Sequence, residues 1–112
     1  MDYCAVRRGG SKYGNIQKRV DGILFHSGKE ARRYVELRGM QKAGVISGLE
    51  LQPRYRLEAN GVHICDYIAD FAYHDEERRT DVVEDVKGMR TQIYILKARL
   101  MKALLGIDVE ET

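Results

Sequence analysis

The spacing of apolar residues changes along the chain, and each change marks an element. From Val20 to His26 (VDGILFH) a short apolar run brackets Asp21-Gly22, which predicts a strand or hairpin edge with a turn. From Ser27 the spacing becomes helical, with Ala31, Tyr34, Leu37 and Met40 recurring on one face. Ser27-Gly28-Lys29-Glu30 has the form of a capping box, Ser27 as N-cap and Glu30 as the third helical residue. A helix is predicted over 27–43, with Gly44 as a left-handed stop.

Leu49 to Ala59 (LELQPRYRLEA) reads as a strand in which Pro53 calls for an edge position or a bulge. Asn60-Gly61 is the strongest hairpin turn in the chain. One long strand is expected from Val62 to Tyr73. Its odd positions are largely apolar, and its even positions mix Ile64 and Ile68 with Asp66 and Asp70. Apolar groups on both faces predict a central strand covered on both sides. A strand from Thr80 or Asp81 to Lys87 follows, then a helix from Thr91 to about Leu105, whose inner stripe is predicted as Ile93, Leu96, Leu100 and Leu104. Gly106 stops it, and 107–110 forms a last short strand.

This order predicts an α/β fold, a mixed sheet flanked by two helices. The chain has 112 residues, enough for one compact domain with one core, assigned to 20–112. Residues 1–19 read as a flexible basic arm. A net charge of +2 says nothing by itself about nucleic acid, but its distribution does. Arg7, Arg8, Lys12, Lys18 and Arg19 face only Asp2 in the first twenty residues, and Lys87, Arg90, Lys97, Arg99 and Lys102 follow without an acid, whereas acids gather in 75–85. That layout suits a protein that holds phosphates with one region and a cation with another; solvated helix faces are its plain alternative. Two cysteines without zinc spacing suit a reduced, cytoplasmic setting. No apolar run is long enough to cross a bilayer, and no signal-peptide core follows the first basic residues.

The chemistry concentrates in Asp70–Lys87 (DFAYHDEERRTDVVEDVK). Asp85 and Lys87 are two apart on a strand and share a face, while Glu84 points the other way. An antiparallel hairpin centred on Glu77-Arg78 sets Asp70 directly opposite Asp85; a one-residue slip would separate them. Facing like charges repel, and a cation between them relieves the repulsion. Magnesium or manganese suits such oxygen ligands. Lys87 binds no metal, but as a nearby cation it can help an attacking water and offset charge on the phosphate. Glu30 is the candidate third acid.

These residues resemble the PD-(D/E)XK, restriction-endonuclease-like superfamily, in the order helix, strand with Asp70, strand with Asp85-Val86-Lys87, helix, strand. The runs Lys12–Asn15, Phe25–Tyr34, Leu49–Pro53, Tyr67–Phe71 and Val82–Gly88 resemble more closely a family of small phage-encoded nucleases, similar to Holliday junction resolvases. Ala69 stands where the superfamily name has proline. The resemblance implies a Mg²⁺- or Mn²⁺-dependent endonuclease, a phosphodiester hydrolase in which Glu30, Asp70, Asp85 and Lys87 form the site. It implies branched DNA as substrate, in phage recombination, replication or packaging, and a homodimer with two sites in the bacterial cytoplasm.

Each residue has a plainer reading beside this one. Asp70 can be a salt-bridge partner, and Asp85 with Lys87 an exposed ion pair. Glu84 replaces Asp85 as ligand if a bulge intervenes. Glu30 can be a cap only. Gln52 lines the site or is an edge-strand polar residue. His26, His63 and His74 show no ligand spacing. Arg7, Arg8, Lys12, Lys18, Arg19, Arg90 and Lys97 contact DNA phosphates or are solvated, and Tyr94 is grouped with Arg90 and Lys97. The alternatives in function are a catalytically inactive nucleic-acid-binding protein of the same fold, and a structural or regulatory phage protein.

Overall fold

A computed structural model describes residues 17–86 and 90–112. The chain divides between Gly39 and Met40 into two compact units, which are taken in turn.

In the first unit, β1 (Lys18–Val20) pairs antiparallel with β2 (Ile23–Phe25). The two-residue turn predicted at Asp21-Gly22 joins them, both residues at positive φ, as the tight turns that match strand twist require. The arm expected over 1–19 therefore ends earlier: Lys18 and Arg19 are strand residues, because they close a ladder with Leu24 and Phe25. Arg7, Arg8 and Lys12 lie outside the described residues. Helix α1 (Gly28–Lys42) follows, and Ala31, Tyr34 and Leu37 are buried as predicted. The Tyr34 ring packs on Phe25 with centroids 5.1 Å apart. Its hydroxyl donates to Asp21 at 2.9 Å, and Arg38 also reaches Asp21. Burial and the Asp21 carboxylate raise the Tyr34 pKa, the hydrogen bond being the larger cause.

The second unit is built on one long hairpin bent in the middle. Its first arm is β3 (Ile46–Leu51) and β4 (Arg54–Ala59); its second is β5 (Val62–Ile68) and β6 (Phe71–Asp75). Asn60-Gly61 makes the turn, with φ of 53° and 77°, values that asparagine and glycine adopt at low cost. β4 pairs with β5 and β3 with β6, all antiparallel. The strand predicted from Val62 to Tyr73 is thus interrupted. The break lies at Gln52-Pro53 on one arm and Ala69-Asp70 on the other, and the backbone stays bonded across it: Gln52 N–H donates to Asp70 O at 2.9 Å and Ala69 N–H to Pro53 O at 3.1 Å. Gln52 stands at φ 51°.

The bend changes which side chains face inward. Before it, Leu57, Tyr67 and Ala69 pack in one cluster with Val83, Tyr94 and Met101. After it, Ala72 joins that cluster, three residues on from Ala69 rather than two. Strict alternation from Tyr67 would have turned Phe71 and Tyr73 to the same side.

β7 (Thr80–Asp85) pairs antiparallel with β6 and parallel with β8 (Val109–Glu111), giving a mixed four-stranded sheet in the order β3-β6-β7-β8. The parallel step needs a crossover, supplied by α2 (Gln92–Leu100) and a π-helical turn, Met101–Leu105, capped by Gly106 at φ 70°. Thr91 caps α2, its hydroxyl accepting the Tyr94 N–H at 3.0 Å. The predicted inner stripe is incorrect at its start. Ile93 and Leu96 are 61% and 55% exposed, and Tyr94 and Met101 are the buried residues. Ile93-Tyr94-Ile95-Leu96 is apolar throughout, so spacing alone offers more than one face; the Tyr94 ring fits beside Tyr67, centroids 6.4 Å apart.

Among the described residues the architecture is mixed α/β with a mixed multi-strand sheet and two helices. Among the described residues no helix is long and apolar enough to cross a membrane.

Candidate functional site

β6 and β7 close through the turn 76–79, where the Asp75 carboxylate accepts the Glu77 and Arg78 N–H groups, each at 3.0 Å. This side-chain turn sets the register that the sequence predicts: Asp75 opposite Thr80, and onward to Phe71 opposite Glu84. One step further, at the bend, Asp70 meets the end of β7. Its backbone N–H donates to Glu84 O at 3.1 Å, and its Oδ2 accepts the Val86 N–H at 2.7 Å. Asp70 and Asp85 are thereby brought together, and both are buried, 8% and 4% exposed.

Asp85 accepts a hydrogen bond from the Tyr67 hydroxyl. Burial is the main reason the Tyr67 pKa lies far above that of an ordinary phenol, and the charges of Asp85 and Asp70 add to it. Tyr67 thus stays a donor and senses both carboxylates. A second tyrosine repeats the pattern one strand over. β8 sets Glu111 beside Asp85, and Glu111 accepts the Tyr94 hydroxyl at 3.0 Å and an ion pair from Arg90 at 3.1 Å. Burial, then Glu111, raises the Tyr94 pKa. Asp70 at the bend before β6, Asp85 on β7 and Glu111 on β8 therefore follow one another.

Glu84 is also buried, but by strand alternation it points to the other face, where the Tyr73 hydroxyl donates to it. No bulge in the β6–β7 ladder exchanges it with Asp85. Gln52 touches Asp70 through its backbone. Glu30 lies in the first unit, 2% exposed, at the start of α1. The capping reading is realised there: Glu30 N–H donates to Ser27 Oγ at 3.1 Å, and its carboxylate accepts the His26 N–H at 3.2 Å. Lys97 donates to Asp66 O at 2.9 Å. Lys18 and Arg19 are exposed. Lys87 lies outside the described residues.

Among the described residues, no three histidine, cysteine or acidic side chains gather into a metal ligand set. The donor chemistry of the aspartate pair still fits a hard divalent ion. Each carboxylate has about four acceptor positions, and the Val86 N–H and the Tyr67 hydroxyl are donors that orient them.

A model of a protein family described as of unknown function, DUF1064, matches residues 10–106, most of the chain. The chain belongs to the DUF1064 family. No curated protein and no solved structure matches it. The part of this DUF1064 protein that matches includes Glu30, Asp70, Asp85 and Lys87, whereas Glu111 lies beyond it. The sequence reading missed Glu111, having ended the last strand at Glu110. The two-residue step from the core residue Val109 was a signal for it, but only the β7–β8 register turns that step toward Asp85.

Proposed function

We propose that this protein is a metal-dependent endodeoxyribonuclease with a restriction-endonuclease-like core. The observation that carries the reading is that Asp70 and Asp85 are both buried where the bend meets the end of β7, with Asp70 bonded to Glu84 O and to the Val86 N–H on either side of Asp85. The order helix, bent strand, strand, crossover helix and parallel strand supports this reading.

Asp70 and Asp85 would hold Mg²⁺ or Mn²⁺. When bound, the ion acidifies water and neutralises charge on the phosphate. The chain does the rest. The Val86 N–H and the Tyr67 hydroxyl orient the two carboxylates. Lys87, two residues after Asp85, assists deprotonation of the attacking water and offsets the charge gathering on the phosphate oxygens. The substrate is DNA, branched DNA in particular, and two copies of the chain supply two sites.

The test is incubation with plasmid and with branched DNA, in Mn²⁺ and in EDTA. Metal-dependent products that vanish in Asp85→Asn and Lys87→Ala support the proposal. Full cleavage by Asp85→Asn removes the site. A second reading, a DNA-binding module without chemistry, predicts binding and no cleavage by the unsubstituted protein.

A further inference from the structure

The bent hairpin carries a second polar feature, apart from the aspartate pair. On β4 and β5, Tyr55, Leu57, Cys65 and Tyr67 turn to the core. Their neighbours in the ladder, Arg54 and Arg56, are paired with Ile68 and Asp66 and turn to the opposite face. The two guanidinium side chains are 63% and 58% exposed.

On this face Arg54, Arg56 and His63 meet the carboxylates of Asp66 and Glu58. Asp66 receives Arg54 at 2.8 Å and His63 at 2.8 Å, and Lys97 donates to its backbone carbonyl at 2.9 Å. Arg56 pairs with Glu58 at 2.6 Å. These contacts hold the side chains without exhausting them, since a guanidinium carries five N–H donors. Two arginines at i and i+2 of a strand stand about 6.8 Å apart, a spacing close to that of successive phosphates on one nucleic-acid strand. Their place in the register matters as much. Arg54 follows Pro53 and is opposite Ile68, two residues from Asp70, and Gln52, two residues before Arg54, is bonded to Asp70. The row of cations therefore ends at the bend where the candidate site begins.

We infer that the outer face of the β4–β5 hairpin, with Arg54 and Arg56 at its centre and His63 and Lys97 at its margins, is the track that holds the DNA backbone leading into the site. This inference rests on the nuclease reading for the word "leading", and on the hairpin itself for the binding. Arg54 and Arg56 take successive phosphates, while Asp66 fixes the direction of Arg54.

The experiment separates the two ideas by measuring binding without chemistry. Fluorescence anisotropy of a short labelled DNA duplex is followed in EDTA across a salt series for the full chain. The same is done for Arg54→Ala/Arg56→Ala, Arg54→Lys/Arg56→Lys and Asp85→Asn, each checked for folding by circular dichroism. Cleavage in Mn²⁺ is measured in parallel. The double alanine variant is expected to bind on the order of tenfold more weakly, with a salt slope smaller by about 1.8, from about 0.9 per lost phosphate contact. The lysine variant keeps the slope. An unchanged slope and affinity in the double alanine variant, or a parent that binds no duplex, overturns the track. Loss of binding in that variant combined with full cleavage by Asp85→Asn leaves the track standing and removes the nuclease site.

Discussion

The hydroxyl of Tyr67 donates its hydrogen bond to the carboxylate of Asp85 inside the second unit, with both residues almost fully buried. The bond ties the long bent hairpin to β7, and so joins the strand before the bend to the residue that faces Asp70. Tyr67→Phe keeps the ring in the core and deletes only the donor. A buried carboxylate that loses a partner costs about 1–3 kcal/mol, to be read as a lower urea midpoint at unchanged slope.

Facing aspartates that accept a divalent ion are stabilised by it. With metal at a hundred times its dissociation constant, unfolding becomes about 2.7 kcal/mol harder. Scanning calorimetry is expected to show a higher melting temperature in Mg²⁺ or Mn²⁺ than in EDTA. Asp85→Asn and Asp70→Asn should lose that increment together with about a hundredfold or more of cleavage rate. A melting temperature indifferent to both ions in the unsubstituted protein removes the metal from the site.

Glu30 serves the helix start in the structure, and the resemblance of Phe25–Tyr34 to the phage nucleases implies a second task. Glu30→Gln separates them, because glutamine is also a capping-box residue. The variant is expected to melt within a degree or two of the parent and to cut at least about tenfold more slowly. Ser27→Ala is the converse: it removes the acceptor of the Glu30 N–H, costs about 1 kcal/mol and leaves cleavage intact. Equal cleavage by parent and Glu30→Gln would confine Glu30 to capping.

Residues of α2 and of the π-helical turn after it differ in what they carry. Met101 is fully buried in the cluster with Tyr94 and Val83, so Met101→Ala is expected to cost about 2–5 kcal/mol. Ile93 is exposed, and Ile93→Ser should fall within about 0.5 kcal/mol of the parent. Urea denaturation compares them directly.

Hydrogen bonds from His63 and Arg54 hold the Asp66 carboxyl below its usual range. A carboxyl that binds its proton less tightly when folded adds stability wherever the unfolded chain is also ionised. That contribution is complete above about pH 4 and is lost as pH falls through the lower folded value. Melting temperatures of the parent and Asp66→Asn should therefore differ at neutral pH and converge in acid. Curves that stay parallel down the acid range would dissociate Asp66 from acid stability.

What the sequence determined by itself is the local part: the turns at Asp21-Gly22 and Asn60-Gly61, the cap at Ser27 and Glu30, the stop at Gly106. Each depends on residues a few places apart, whose backbone preferences and hydrogen bonds act before any core forms. The register of β6 against β7, Asp75 opposite Thr80 through Phe71 opposite Glu84, was legible for the same reason, since a short hairpin fixes its register through its turn. Only the tertiary structure decided the bend at Asp70, the inward face of α2 and the place of Glu111 beside Asp85. Those depend on partners distant in the chain, and a continuous apolar run such as Ile93–Leu96 satisfies more than one of them until packing selects the face that fits.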